Sequence, residues 1–333
     1  MDLAEWIDRM RGRRIAVLGD MIADVYLMGK IARISREAPV LVLEHQGERV
    51  VAGGAANVVH NAATLGGHAA ALGVVGEDAA AEGLKEILSG KGVDVSGLVT
   101  DAARPTTAKT RVIAGGRATV SQQIVRIDKE DRAPLSEEVY GRLRDSALAA
   151  VDRADGVVLS DYGGAAVSEP LTKEIVAACK KRGVPTIVDS RYSIRRFVGV
   201  DYVKQNDAEL SEAMGEELAD EASFCAAGEK LRKELSAKGV LVTRGEKGMT
   251  LCLAGGRFVD IPVLDKSEVF DVSGAGDTCV AAFILAVAGG ASPEDAARLS
   301  NVASGIAVRK MGTATVGAEE LRAAVKKQFP KEG

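Results

Sequence analysis

The sequence predicts an α/β fold in which a mostly parallel sheet carries helices on both faces, with a small β lid added to it. Three observations support this. Short β-rich apolar runs alternate with helix-length segments through most of the chain, the rhythm of strands joined by helical crossovers. Two stretches, about 21–50 and 105–127, break that rhythm with short polar–apolar alternation and read as strands outside the main sheet, the lid. A glycine-rich turn at 271–278 opens into the apolar run 279–288, which has the length of a buried helix.

In chain order, residues 14–18 form an apolar strand that ends at Gly19-Asp20, and residues 40–43 are the clearest lid strand. Gly53-Gly54-Ala55-Ala56-Asn57 opens an alanine-rich helix that closes near Gly66-Gly67, and 69–75 returns as a strand. The second lid group lies at 108–113 and 119–127. Beyond Pro134 come a strand at 156–160, a helix at 171–182, and strands at 185–189 and 202–204. A helix from Asp207, a helix at 222–238 and a strand at 239–243 follow, then a hairpin around Gly255-Gly256. Helices at 293–310 and 318–327 come last. There is no internal repeat, low-complexity tract or linker, so residues 1–333 read as a single domain.

Composition narrows the function. Hydrophobic content of 47% with 27% charged residues is that of a globular protein, and a net charge of −4 without a basic block argues against nucleic acid and anionic membrane as partners. Four dispersed cysteines give neither a disulfide framework nor a C-x-x-C pair, and the three histidines all precede residue 69, which argues against a zinc hydrolase. Asp2 and Glu5 do not fit a signal peptide, and the longest apolar run is far short of the roughly 20 residues that span a bilayer, so a cytoplasmic location is expected. Gly53-Gly54 is not the G-x-G-x-x-G of a dinucleotide site.

Asp271-Val272-Ser273-Gly274-Ala275-Gly276-Asp277-Thr278 carries the chemistry. A tight turn before a helix leaves the amides of Gly274, Ala275 and Gly276 unpaired and able to cradle an anion. Asp277 is then expected on the first helical turn, beside the anion and outside the core. A carboxylate repels phosphate, so its use there is to take a proton from a hydroxyl attacking that phosphate. An ordinary glycine loop with an Asp compensating the helix dipole reads equally well at this point. Further polar residues gather at strand ends, where open α/β sheets bind ligands: Asp20, Asp24, Asp161, Asp189, Asn206, Glu209 and Thr243-Arg244-Gly245.

Four motifs in order, Gly53-Gly54-x-x-Asn57, Asn206-x-x-Glu209, Thr243-x-Gly245-x-x-Gly248 and Asp271-x-x-Gly274-Ala275-Gly276-Asp277, resemble those of the ribokinase-like (PfkB) sugar kinases over nearly the whole chain. Segments at 33–40, 122–128, 159–163 and 312–316 are similar to those of the heptose 7-phosphate kinases within that family. The adenylyltransferase domain fused to many of those kinases is expected to be absent here. The subgroup keeps a lysine where this chain has Gly164, Asp-Pro-Lys where it has Asp189-Ser190-Arg191, Asp-Arg-Tyr-Trp where it has Asp24-Val25-Tyr26-Leu27, and a proline where it has Arg36. Arg36 or Arg191 is a candidate to compensate by binding a substrate phosphate.

The resemblance implies a ribokinase-like fold and ATP-dependent phosphorylation of a sugar or sugar phosphate, with D-glycero-D-manno-heptose 7-phosphate favoured. It implies that Asp24, Gly53, Gly54 and Asn57 hold the sugar, with Asp161, Lys109 and Arg126 as further substrate contacts, the last two on a phosphate. Asp277 would be the base, and the Gly274, Ala275 and Gly276 amides would stabilise the transferring phosphoryl group. Asn206 and Glu209 would organise Mg²⁺ through water. Thr243, Gly245, Gly248 and Asn301 would line the ATP site, and Asp271 and Ser273 lie where relatives place a monovalent cation, K⁺. The lid would exclude water and pair two subunits into a homodimer. Alternatives are a kinase for a ketohexose phosphate, a sugar acid or a nucleoside, and a non-catalytic sugar or nucleotide sensor on the same fold.

Overall fold

The computed structural model describes residues 2–115, 121–263 and 269–329. The chain opens with α1 (Leu3–Met10), β1 (Arg14–Gly19), β2 (Met21–Ile34), β3 (Leu41–Gly54), α2 (Ala55–Thr64), β4 (His68–Val75), α3 (Ala79–Ser89) and β5 (Leu98–Thr100). It continues with β6 (Ala108–Gly115), β7 (Gln122–Lys129), α4 (Glu137–Val151), β8 (Gly156–Asp161), α5 (Glu169–Arg182), β9 (Thr186–Ser190), β10 (Tyr202–Asn206) and α6 (Asp207–Met214). The last part holds α7 (Glu221–Leu235), β11 (Gly239–Thr243), β12 (Met249–Leu253), β13 (Arg257–Ile261), α8 (Ala275–Ala288), α9 (Pro293–Ala307) and α10 (Ala318–Gln328). The expected lid strand at 119–127 is found as β7, and its first residues lie outside the described ones.

Among the described residues, nine strands form the main sheet in the order β13-β12-β11-β10-β9-β8-β1-β4-β5. From β11 to β5 the pairings are parallel, and the β11–β12–β13 edge is antiparallel. The central strands are apolar throughout because helices cover both faces: every residue of β8 and of β9 is buried. One hydrophobic cluster lies on the α2, α8 and α9 side, and a second on the α4, α5 and α7 side. Helix α8 sits in the first cluster against α2, α9 and β8, and is buried from Asp277 to Ala286. Phe283 is fully buried and meets Tyr202 edge-on at 5.0 Å between ring centroids.

The lid is a separate four-stranded sheet, β3-β2-β6-β7, with β2 and β6 parallel and the outer pairs antiparallel. Strands β2 and β3 each run for 14 residues, longer than the short strands expected of 21–50. Their inner ends are buried against the main body and their outer ends are exposed. That change of environment along one strand is what obscures its length in the sequence.

Because α8 both fills the core and carries the glycine loop, its packing supports the whole molecule. Phe283→Ala should cost about 3–5 kcal/mol, read as a lowered urea midpoint with little change in slope.

Candidate active site

The loop before α8 turns at Gly274, which caps the helix in the left-handed conformation at φ 78°. A Cβ there would lie 2.6 Å from Asn57 Nδ2, so glycine is required both by the turn and by the contact. Of the three amides expected to be unpaired, that of Ala275 donates to the Val272 carbonyl at 3.3 Å. The amides of Gly274 and Gly276 have no partner among the described residues, which leaves them free to receive an anion at the helix N-terminus.

Asp277 is on the first turn of α8, as expected, but it is buried at 4% exposure instead of standing outside the core. Asn57 Nδ2 donates to its Oδ2 at 2.8 Å, and the Tyr162 hydroxyl donates to its Oδ1 at 2.8 Å. Burial pushes the carboxyl up to about 6, against the pull of the two donors, which favour the ionised form. Asn57 is itself fixed: its Oδ1 accepts from Asn61 Nδ2 at 3.0 Å, and Asn61 Oδ1 accepts from the Val316 amide at 3.2 Å. Sequence reasoning missed Tyr162 as a site residue; its place just past the end of β8 was the available signal. Burial and the charge of Asp277 hold its phenol well above the ordinary value, so it stays a donor.

A cleft of about 1500 Å³ opens beside this loop. Asn206, Glu209, Thr243, Gly245, Gly248 and Asn301 all line it, together with Ser273 and the Gly274 to Asp277 loop. The expected nucleotide-binding residues are thus brought together on one side of Asp277. Asn206 and Glu209 cap α6 reciprocally, each side chain accepting from the other's amide at 2.8 Å. Glu209 Oε1 has no partner among the described residues. A single carboxylate facing a cleft fits Mg²⁺, which takes one or two protein carboxylates and completes its shell with water and substrate phosphates. Both oxygens of Asp271 accept backbone amides, from Ser273 at 2.9 Å and Gly312 at 3.0 Å, so this side chain braces the loop.

Asp161 requires a correction. It reaches the cleft wall, but its carboxylate is 1% exposed and engaged on both oxygens, by the Ser190 hydroxyl at 2.6 Å, the Gly163 amide at 3.1 Å and Arg196 at 2.9 Å. It braces the ends of β8 and β9 and is not available to a sugar. Asp20 is similarly committed to the Tyr162 and Gly164 amides, at 2.8 and 3.0 Å. A Cβ at position 164 would collide with Asp20 Oδ1, which explains why this chain has glycine there and no lysine.

The residues expected to hold the acceptor lie at the root of the lid. Asp24 is 3% exposed, and Arg111 Nη1 donates to its Oδ1 at 2.6 Å. A Cβ on Gly53 would lie 2.6 Å from Asp24 Oδ2, so the glycine at 53 is what admits this carboxylate. Strand register then sets two rows across the lid. Val51, Asp24, Lys109 and Asp128 are cross-strand neighbours, and so are Arg49, Tyr26, Arg111 and Arg126. Lys109 and Arg126, both expected here, therefore share a face with Arg49 and Arg111, which the sequence did not point to. The guanidinium groups of Arg49 and Arg111 each lie 5.5 Å from the Tyr26 ring centroid, and Arg126 forks onto Asp128 at 2.8 and 2.9 Å. This face looks toward the glycine loop, since a Cβ on Gly312 would lie 3.0 Å from the Tyr26 hydroxyl and Gly312 is tied to Asp271. Arg33 and Arg36 are exposed at the outer end of the lid, away from this row.

Comparison with known proteins agrees with this geometry. The pfkB family of carbohydrate kinases matches residues 13–320. The bifunctional protein HldE of Azorhizobium caulinodans is 44% identical over 315 residues, covering 94% of this chain and 64% of that protein. HldE of Geobacter sulfurreducens is 42% identical over 92% of this chain and 61% of its own length. The chain thus spans less than two thirds of these relatives. Among solved structures, Arabidopsis thaliana ribokinase complexed with ribose and ATP superposes with a TM-score of 0.74 at 23% identity, covering 95% of this chain and 99% of that one. Escherichia coli phosphofructokinase-2 in complex with substrates and products gives 0.76 at 23% identity, with the same coverage. The fold is ribokinase-like, and the chain belongs to the pfkB family of carbohydrate kinases.

Proposed function

We propose that this carbohydrate kinase transfers a phosphoryl group from ATP to a sugar that already carries a phosphate, with D-glycero-D-manno-heptose 7-phosphate as the favoured acceptor and the 1,7-bisphosphate as product. The observation that carries the reading is the cationic row on the lid. Arg111 and Arg126 are directly opposite one another on adjacent strands, an arrangement that costs stability unless anions offset it. Asp24 and Asp128 meet one guanidinium each, and Arg49 and Lys109 have no carboxylate partner among the described residues. An uncharged acceptor has no use for that excess, whereas the distal phosphate of a sugar phosphate does. Similarity to the HldE proteins, and of the segments at 33–40 and 122–128 to heptose 7-phosphate kinases, supports the heptose within that class.

In this mechanism Asp24, the Gly53-Gly54 backbone and Asn57 bind the acceptor hydroxyls. Asp277 takes the proton of the attacking hydroxyl while Asn57 and Tyr162 hold its carboxylate in place. The Gly274 and Gly276 amides receive charge on the transferring phosphoryl group. Asn206 and Glu209 would hold Mg²⁺, which neutralises charge on the ATP phosphates. Thr243, Gly245, Gly248 and Asn301 bind the nucleotide, and the lid keeps water from the phosphoryl group. An intact Asp277 and glycine loop favour an enzyme over a sensor. Exposed Ile34, Val40, Leu41, Val125 and Ile127 support pairing of two copies through their lids.

Asp277→Asn keeps the shape and removes the base, and should lower kcat by about 10²-fold or more; near-normal turnover would remove Asp277 from this role. Because burial places its carboxyl at about 6 in the free protein, wild-type kcat/KM should fall as pH drops through that value, with the slope of one proton. The acceptor itself is tested by ADP release with heptose 7-phosphate, unphosphorylated heptose, fructose 6-phosphate, ribose and a sugar acid. Heptose 7-phosphate should exceed the unphosphorylated sugar by at least about 10²-fold, as expected when a charged pair is lost. Equal use of both sugars would refute a phosphate-reading lid.

A further inference from the structure

We infer that Arg191 is a catalytic residue of the transfer step, its guanidinium taking charge that gathers on the phosphoryl group between nucleotide and acceptor. The inference rests on the kinase reading and not on the identity of the acceptor.

Two cations stand on the cleft wall formed by the ends of β9 and β10, and they are in different situations. Lys204 is 5% exposed and lies between two carboxylates, Asp189 at 3.0 Å and Glu209 at 4.0 Å. Burial alone would lower its pKa, but those charges raise it, so it is an ammonium already neutralised within the protein. Arg191 lines the same cleft with Gly274, Gly276 and Asp277, and its guanidinium makes no hydrogen bond or ion pair among the described residues. The Tyr162 ring lies 5.1 Å away at the centroid; burial alone would lower the pKa of the guanidinium, but Tyr162, Glu209 and Asp189, without forming an ion pair with it, raise it through charge.

The backbone that presents Arg191 is firmly held. Its amide donates to the Asp161 carbonyl at 3.2 Å, the neighbouring Ser190 hydroxyl donates to Asp161 Oδ2 at 2.6 Å, and Gln205 Nε2 donates to the Ser190 carbonyl at 2.9 Å. The guanidinium sits over the Tyr162 ring, a cation–π contact. Tyr162 in turn donates to Asp277, so the unpaired guanidinium is one aromatic ring away from the base. A held cation without a direct ion pair, at the transfer end of a nucleotide cleft, is a group arranged for a charge that appears only during reaction.

That charge follows from the electron count. The acceptor oxygen gives its proton to Asp277 and uses a lone pair to form the new O–P bond. The bond from phosphorus to the β–γ bridging oxygen breaks, and its electron pair leaves on ADP. Negative charge meanwhile spreads over the phosphoryl oxygens, and two parallel N–H groups of an arginine suit a pair of them.

The test compares wild type with Arg191→Gln and Arg191→Lys in two assays: turnover with heptose 7-phosphate, and ATP hydrolysis without acceptor, in which water receives the phosphoryl group. Arg191→Gln should lower both rates by about 10²-fold, the scale for losing one charge-stabilising donor. KM for ATP and for the acceptor should stay within about threefold of wild type, the acid limb of kcat/KM should not move, and Arg191→Lys should recover part of the loss. A raised acceptor KM with hydrolysis unchanged would mean that Arg191 binds the acceptor's own phosphate, and would overturn the inference. So would unchanged rates, or a shifted acid limb, which would mean that it acts through Tyr162 on the base. If wild type does not use heptose 7-phosphate, the acceptor proposal falls while the hydrolysis assay still decides the role of Arg191.

Discussion

The carboxylate of Asp277 is held inside the protein between Asn57 and Tyr162, and much of the architecture can be traced to that one buried charge. Removing a carboxylate from water is costly unless donors replace the water. Here the donors come from α2 and from the end of β8, while the carboxylate belongs to α8, whose N-terminal dipole adds to the support. Asn57 is oriented by Asn61, and Asn61 by the Val316 amide, so the chain converges on one pair of oxygens. A buried network of this kind is stabilising only when every member is satisfied. The apolar body of α8, the glycine at 274 and the fixed end of β8 are the conditions under which it is.

Charge around this centre is distributed in two ways. Some cations are neutralised in place: Lys204 by Asp189 and Glu209, Arg111 by Asp24, and Arg126 by Asp128. Others, Arg191 on the cleft wall and Arg49 and Lys109 on the lid, have no carboxylate partner among the described residues. The first group holds the site together in the absence of ligand. The second is left with positive charge that the protein's own carboxylates do not pair, on the cleft wall and on the lid.

The parallel strands were legible because burial on both faces leaves continuous apolar runs, and α8 because its run follows a glycine turn. The glycine, asparagine and acidic residues at strand ends were legible because short polar motifs survive without context. What stayed hidden depended on register or on distance along the chain. Arg49 and Arg111 become neighbours of Tyr26 only through an antiparallel and a parallel pairing. Tyr162 and Asp277 are 115 residues apart and meet only because β8 ends beside the start of α8. Asp161 misled for the opposite reason: a strand-end carboxylate looks the same in sequence whether it faces a ligand or a neighbouring strand. Strand β5, of three residues, has its place from pairing with β4 and shows no pattern of its own.

The property on which the site turns is the burial of the Asp277 carboxyl, which raises its pKa. It is tested most directly by following the carboxyl resonance that Asp277→Asn removes from protein labelled with ¹³C at aspartate side chains. In wild type that resonance should titrate near pH 6, the value to which burial pushes the group. Titration near the ordinary aspartate value of about 3.9 would contradict the account, because the carboxylate would then be in contact with water and not enclosed by the network that the rest of the fold supports.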